Sequence, residues 1–381
     1  MTDVMIYVQH LLGIGHVRRT ALLVAEMRKQ GLTVGVVSGG IPDEAIDFGA
    51  DCVIQLPACR SADHGFSGLV DQDGKPVDDA WKDGRKNALF AAYQELSPRL
   101  LLVEMFPFGR RAFRFELLPL LERAGEDGVK RVCSVRDLLV RKKDIQKERW
   151  MRDVARSHFD RVLVHGDPAV FGFDRSFPFA ADLCDMLDYT GYVAADVKRD
   201  SSVSRAGVVV SAGGGAVGAD LIAAAIAARP LSAQYAKAHW DIITGPHFPA
   251  DAFAGLSANL PDGIRLHRFL PDFRDRLVRA DISVSQAGYN TLMDVLAAGV
   301  PSVMVPFAEG GESEQRERAE IFADKGIISL LPACQLQPET LARAMDNADF
   351  PKEFELLLDG ARIGAAKIRA IIMGKDHGHL G

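Results

Sequence analysis

The chain has 381 residues, more than one ordinary hydrophobic core organises, so two domains of a little under roughly two hundred residues each are expected. A hydrophobic fraction of 48% with 25% charged residues is that of a soluble globular protein, and a net charge of -6 gives none of the basic surplus a nucleic-acid binder needs. The five cysteines are scattered, odd in number and form no C-x-x-C pair, which argues against a disulfide framework and a structural zinc site and fits a reducing cytoplasm. The apolar N-terminus carries Asp3 and no basic flank, so it reads as a buried strand rather than a signal peptide. No run of about eighteen apolar residues is present to span a membrane.

In chain order, "VMIYVQ" is a run of apolar and β-branched residues and predicts a buried strand. The glycine loop "HLLGIGH", His10 to His16, follows it. A helix is predicted over 17–30, because Val17, Ala21, Val24 and Ala25 share one face, with Gly31 as its stop. "TVGVVSGG", "CVIQL", "RLLLVE", "RVCSVR" and "RVLVHG" are further strands, and "GRKNALFAAYQEL" and "FRFELLPLLERA" are helices between them. Such alternation predicts a parallel sheet with helices on both faces. "LVDQDGKPVDD" interrupts it as a hairpin with a polar turn.

The polar stretch "YTGYVAADVKRDSSVSRAG" has no apolar period and reads as a linker. Alternation then resumes with "GVVVSA", "ADLIAAAIAA", "HWDIITG", "GIRLHRFL", "ADISVS", "TLMDVLAAG" and "VPSVMVPF", and the tail over 354–373 reads as helical. The fold class is therefore α/β, with two Rossmann-like doubly wound domains facing a cleft: 1–193, a linker at 194–206, 207–353, and a C-terminal helix and tail at 354–381 packing back on the first domain. Ligands of open α/β sheets bind at the carboxyl ends of the strands.

In "VVVSAGGGAVGADL", Gly213, Gly215 and Gly218 fit G-x-G-x-x-G after a strand, a loop whose N–H groups can approach a phosphate. A nicotinamide dinucleotide would also need an acid at the end of the next strand, which ends "IITG" instead. A tight turn without a ligand is the alternative. In "ADISVSQAGYNTLMDVLAAGVPSVMVPFAEGGESEQ", Asn290 is expected to cap a helix starting near Thr291, and Gly299 and Pro301 to end it. Asp294, about one turn inside, can accept hydrogen bonds from a diol such as a ribose or simply complement the helix dipole.

This segment resembles the donor-binding stretch of GT-B nucleotide-sugar glycosyltransferases, most of all the MurG-like, family 28-like group. Ser285, Gly288, Asn290, Thr291, Asp294, Gly299-Val300-Pro301, Pro306-Phe307 and Glu314-Gln315 carry the resemblance, preceded in order by the first glycine loop, Gly213 to Gly215 and "HRFL". The resemblance implies that Asp294 holds ribose hydroxyls, that Gly288, Tyr289 and Asn290 meet the diphosphate, and that Thr291 and Gln286 also belong to the donor site. It also implies that Phe269 and Leu270 bracket the base and that Glu314 and Gln315 contact sugar hydroxyls. By the same resemblance, Gly13, Gly15, Ser211, Gly213, Gly214 and Gly215 are expected to supply glycine-loop contacts to the donor. Three departures stand out: Asp replaces the commoner Glu at 294, Gln286 replaces an Arg or similar residue, and "EGGESEQ" is one residue longer than in the closest pattern. The E-x7-E pattern of retaining relatives is absent, since Gln286 precedes Asp294 by eight, and inversion follows.

Sugar transfer needs a base on the acceptor hydroxyl and positive potential on the leaving diphosphate. His16 is the leading candidate for base or diphosphate contact and Glu104 a second base candidate, with His10, Arg110 and Arg136 on the acceptor side. The expected reaction is metal-independent transfer from a nucleotide sugar, UDP-linked, to a saccharide, lipid-linked or small-molecule acceptor. No metal or cofactor is required, and nucleic acid is not a partner. "DQD" at Asp71 to Asp73 reads as a turn rather than a metal motif. Arg110, Arg111 and Arg114 interleave with Phe106, Phe108, Phe113 and Phe115. They read either as a patch for peripheral contact with the inner membrane face or as a helix entry with core-facing rings. His165 reads as a satisfied structural histidine. A nucleotide-sugar hydrolase or 2-epimerase on the same fold, and a non-catalytic nucleotide-sugar-binding protein, remain alternatives.

Overall fold

The computed structural model describes residues 1–11, 15–42, 47–62, 68–141, 144–197, 204–214, 218–246, 248–307, 314–352 and 355–374. The chain divides into two compact units, the first Met1–Ala194 with Leu356–Gly381 and the second Ala195–Glu355.

The first unit contains strands β1 Val4–Val8, β2 Val34–Ser38, β3 Cys52–Gln55, β4 Cys59–Ser61, β5 Leu69–Asp71, β6 Leu100–Glu104, β7 Lys130–Arg136, β8 Arg161–His165 and β9 Leu187–Tyr189. Among the described residues its main sheet has seven parallel strands in the order β3-β2-β1-β6-β7-β8-β9. β1, β2 and β6 are buried along their whole length, as their continuous apolar runs predict. β4 and β5 form a separate antiparallel hairpin, extended by a bridge from Val70 to Pro76. At its turn the Asp71 carboxylate accepts hydrogen bonds from the backbone N–H of Asp73 and Lys75.

The helices of this unit are α1 Gly15–Lys29, α2 Asp79–Leu96, α3 Arg114–Glu126 and α4 Ile145–His158. α2 starts earlier than its apolar period suggests, because Asp78 caps it by accepting from Trp81 N–H. The polar stretch beginning at Tyr189 is not linker from its start. Tyr189 ends β9, and Thr190, Tyr192 and Val193 are buried in the first unit.

The second unit contains β10 Val208–Ser211, β11 Trp240–Ile243, β12 Ile264–His267, β13 Ile282–Ser285, β14 Ser302–Met304 and β15 Ser329–Leu330. They pair in parallel in the order β12-β11-β10-β13-β14-β15. Its helices are α5 Ala219–Ala228, α6 Ala250–Ser257, α7 Phe273–Arg279, α8 Tyr289–Ala298, α9 Glu314–Asp324 and α10 Pro338–Asp346. The last helix, α11 Gly360–Ile372, returns to the first unit, where Ala361, Ala365 and Ile368 share a core with Val17, Leu23 and Val24 of α1. Both sheets are thus parallel α/β layers with crossover helices. Among the described residues no helix is long and apolar enough to cross a membrane.

Candidate active site

In the first unit, the chemistry gathers at the carboxyl ends of β1, β6, β7 and β8. β1 and β6 are neighbours in the sheet, and α1 begins just after β1. The start of α1 therefore lies beside Glu104, the last residue of β6. His16 Nδ1 stands 2.8 Å from Glu104 Oε1. Arg19, one turn further along α1 and so on the same helix face, donates through Nη2 to the same carboxylate oxygen. Glu104 is only 2% exposed and its Oε2 has no hydrogen-bond partner among the described residues.

Burial alone would raise the Glu104 carboxyl, but the His16 and Arg19 neighbours outweigh it and hold it at about 2. Glu104 is therefore a carboxylate, and His16 Nδ1 must be the donor in their bond. His16 is pushed down to about 3, chiefly by burial, against the pull of Glu104. The imidazole is neutral near pH 7, with its proton on Nδ1 and the Nε2 lone pair available to accept one.

Arg110 adopts a left-handed backbone, with φ of 57°, and its Nε donates to Gln9 O at 2.8 Å. Burial and the positive charges of Arg136 and Arg19 lower its pKa, while Glu104 raises it. Arg136 ends β7, and its charge also acts on His16. His10 is buried against Gly40, where an added Cβ would overlap its ring. His165, fully buried at the end of β8, bonds Ser134 Oγ at 2.8 Å and Thr190 Oγ1 at 2.9 Å. Burial pushes it down to about 3.

In the second unit, two loops meet at the carboxyl ends of β10 and β13. Gln286 N–H donates to Ser211 O at 3.1 Å, and Gly213 N–H donates to Ser211 Oγ at 3.3 Å. Gly213 has φ of 66°, and a side chain there would come within 4.0 Å of Gln286 Oε1 and Thr291 Oγ1. Gly218, with φ of 143°, packs so closely that an added Cβ would sit 2.6 Å from the Ala212 Cβ. Helices α5 and α8 start from these loops with Gly218 and Gly288 as N-caps, and neither has a side-chain cap. Their positive ends and backbone donors form the kind of surface that attracts a diphosphate. Further into α8, Asp294 is buried and its Oδ1 accepts from Arg274 Nε of α7 at 2.9 Å.

Residues 208–364 match the glycosyltransferase family 28 C-terminal domain. This match covers less than half of the chain. Curated relatives named UDP-N-acetylglucosamine--N-acetylmuramyl-(pentapeptide) pyrophosphoryl-undecaprenol N-acetylglucosamine transferase align over part of their length. That of Methylibium petroleiphilum is 33% identical over 102 residues, covering 27% of each chain. That of Chromobacterium violaceum is 33% identical over 129 residues, covering 34% of this chain and 35% of the relative. That of Bordetella pertussis is 29% identical over 203 residues, 51% of this chain and 52% of the relative. The chain thus spans about a quarter to a third of the first two.

Two solved structures share the fold over nearly the whole chain. The calicheamicin glycosyltransferase CalG4 matches with a TM-score of 0.59 and 16% identity, covering 98% of this chain and 95% of that one. MurG of Acinetobacter baumannii matches with a TM-score of 0.56 and 15% identity, covering 98% and 99%. The fold is therefore the MurG-like GT-B architecture of two parallel-sheet α/β domains.

Only some of the donor-side residues expected from the sequence come together. Ser211, Gly213, Gln286 and Thr291 meet at the two loops described above, and Gly288 and Tyr289 open α8. Gly214 has open space around its backbone. Asn290 is not the cap expected of it: α8 begins at Tyr289 with Gly288 as N-cap, so Asn290 is the second helical residue. Phe269 is 52% exposed while Leu270 is buried. Glu314 is the buried first residue of α9, and Gln315 Oε1 accepts from Phe307 N–H at 3.3 Å. Gly13 and Gly215 lie outside the described residues, and Gly15 is the first residue of α1.

Of the two readings of the aromatic stretch beside Arg110, the core-facing one fits the described rings. Phe106, Phe108 and Phe113 are core residues of the first unit and offer no apolar patch to a membrane. Three arginines had no distinguishing sequence signal: Arg19 on Glu104, Arg274 on Asp294, and the buried Arg318, whose guanidinium lies 5.4 Å from the Tyr289 ring centre. Each is recognised only by its partner in space.

Proposed function

We propose that the chain transfers a sugar from a UDP-linked donor to a hydroxyl of a lipid-linked acceptor, with inversion and without a metal ion. N-acetylglucosamine is the sugar suggested by the names of the curated relatives, and a lipid-linked acceptor would bring the enzyme to a membrane surface. The observation that carries the catalytic reading is the His16–Glu104 pair, a neutral imidazole held in one tautomer by a buried carboxylate.

In this reading Nε2 of His16 takes the proton of the acceptor hydroxyl as its oxygen attacks the anomeric carbon. The bond from that carbon to the diphosphate oxygen breaks, and UDP leaves with the electron pair. A single displacement of this kind inverts the anomeric centre. Glu104 holds the imidazolium that forms, with Arg19 keeping Glu104 ionised. The uncapped starts of α5 and α8 receive the diphosphate charge, while the Asp294 end of α8 serves the nucleoside. The Asp71 carboxylate is engaged within its own turn, which supports charge stabilisation by helix ends rather than by a metal held at "DQD".

Thermal-shift and calorimetric titration with UDP, GDP, dTDP and their sugars tests the donor half. UDP and UDP-N-acetylglucosamine should stabilise the protein most. No stabilisation by any of them overturns the reading.

A further inference from the structure

The acidic residue on α8 does not face a ligand by itself. Asp294 is six residues past the N-cap Gly288, which at 1.5 Å per residue is about 9 Å along the axis from the end that suits a diphosphate. Its side chain is 9% exposed and its Oδ1 is already taken by Arg274 Nε at 2.9 Å. Arg274 itself is 43% exposed, and its two terminal nitrogens make no hydrogen bond among the described residues. It is the second residue of α7, whose first residue, Phe273, donates its N–H to Leu270 O at 3.3 Å. Arg274 thus joins the segment containing the exposed Phe269 to the acid of α8.

We infer that Arg274 is a nucleoside-reading residue of the donor site, contacting the ribose hydroxyl oxygens, and that Asp294 positions it. This inference rests on the donor reading above. A guanidinium fixed through Nε keeps its plane, so its terminal nitrogens form a preorganised fork of donors with no acceptor capacity. Such a fork takes oxygen lone pairs. Its anchor Asp294, about 9 Å along α8 from the end that suits a diphosphate, places it for the ribose rather than the diphosphate. Aspartate at 294, one methylene shorter than glutamate, reaches less far, and the arginine anchored on it extends the site.

The test is calorimetric titration of the full chain with uridine, 2′,3′-dideoxyuridine and UDP. For Arg274→Ala, uridine and UDP should weaken by the same factor, about tenfold, as expected for one charge-assisted contact. The wild-type preference for uridine over the dideoxy compound should disappear. Arg274→Lys, which keeps the charge but loses the fork, should behave like Arg274→Ala. Adding Asp294→Asn to Arg274→Ala should weaken binding no further, because the two residues act as one unit. Unchanged uridine affinity, a loss for UDP alone, or an equal loss for uridine and dideoxyuridine overturns the inference while leaving the donor reading intact. A wild-type protein that binds no uridine nucleotide overturns both.

Discussion

Nδ1 of His16 and Oε1 of Glu104 lie 2.8 Å apart although the residues are 88 positions apart in the chain. The pair is created by the sheet order, which sets β6 beside β1, and by the start of α1 directly after β1. It fixes a neutral imidazole with one acceptor nitrogen, the state a proton acceptor needs at neutral pH.

Glu104→Gln keeps the shape but removes the charge that steadies an imidazolium. Turnover should fall by roughly 10²–10⁴, with UDP affinity within about twofold of wild type. Steady-state kinetics beside calorimetry checks this. Equal losses in turnover and UDP binding would point to a structural role instead.

Acid should destabilise the protein well before its carboxylates titrate. His16 and His165 sit at about 3 in the fold against an ordinary 6.5. Between those values the unfolded chain binds protons that the folded chain does not, so stability rises with pH, by up to about 1.4 kcal/mol per unit for each histidine. Glu104, at about 2 against 4.5, acts in the same direction. Its stabilisation is present above 4.5 and is lost as pH falls toward 2. Urea unfolding from pH 7 to 4 should show falling stability, with a shallower slope in His165→Gln. A flat profile contradicts the burial described for both rings.

Arg85 is fully buried and its Nε bonds both Glu116 carboxylate oxygens, at 3.1 and 2.9 Å, while Nη2 bonds Tyr7 and Gln9. Arg85→Met strands the Glu116 charge and should cost about 3–5 kcal/mol. Replacing both residues, as in Arg85→Met with Glu116→Leu, should cost less than the single change. Urea denaturation of the three proteins measures this, and a single-variant cost below about 1 kcal/mol contradicts it.

Ile368 of α11 is fully buried in the core shared with α1. Ile368→Ala should cost about 2–4 kcal/mol by cavity formation. Because α1 carries His16, hydrogen exchange should also quicken along α1. Slowed or unchanged exchange there would separate α11 from support of the site.

The buried strands were legible because parallel strands covered on both faces must be continuously apolar, as "VMIYV" and "LLLVE" are. Tyr189 to Val193 reads as linker because polar groups that it bonds inside the first unit look like solvated ones in sequence: Thr190 bonds His165, and Tyr192 N–H donates to Leu357 O. That second partner lies 165 residues away and leaves no local pattern. Asn290 is a favourable capping type, yet Gly288 takes the cap with an extended backbone, φ of -62° and ψ of 143°. Glu104 could be named as a strand-end acid, but its bonds to His16 and Arg19, and the Arg274–Asp294 pair, depend on which elements fold together.

The deciding measurement is His16→Ala, assayed for transfer of N-acetylglucosamine from its UDP donor to N-acetylmuramyl-(pentapeptide)-pyrophosphoryl-undecaprenol, alongside UDP binding by calorimetry. Wild type should give an acceptor-dependent product, and the variant should lose turnover by roughly 10²–10⁴ while binding UDP within about threefold of wild type. Retained turnover in His16→Ala would contradict the assignment of His16 as the base. UDP release at the same rate with and without acceptor would contradict transfer itself.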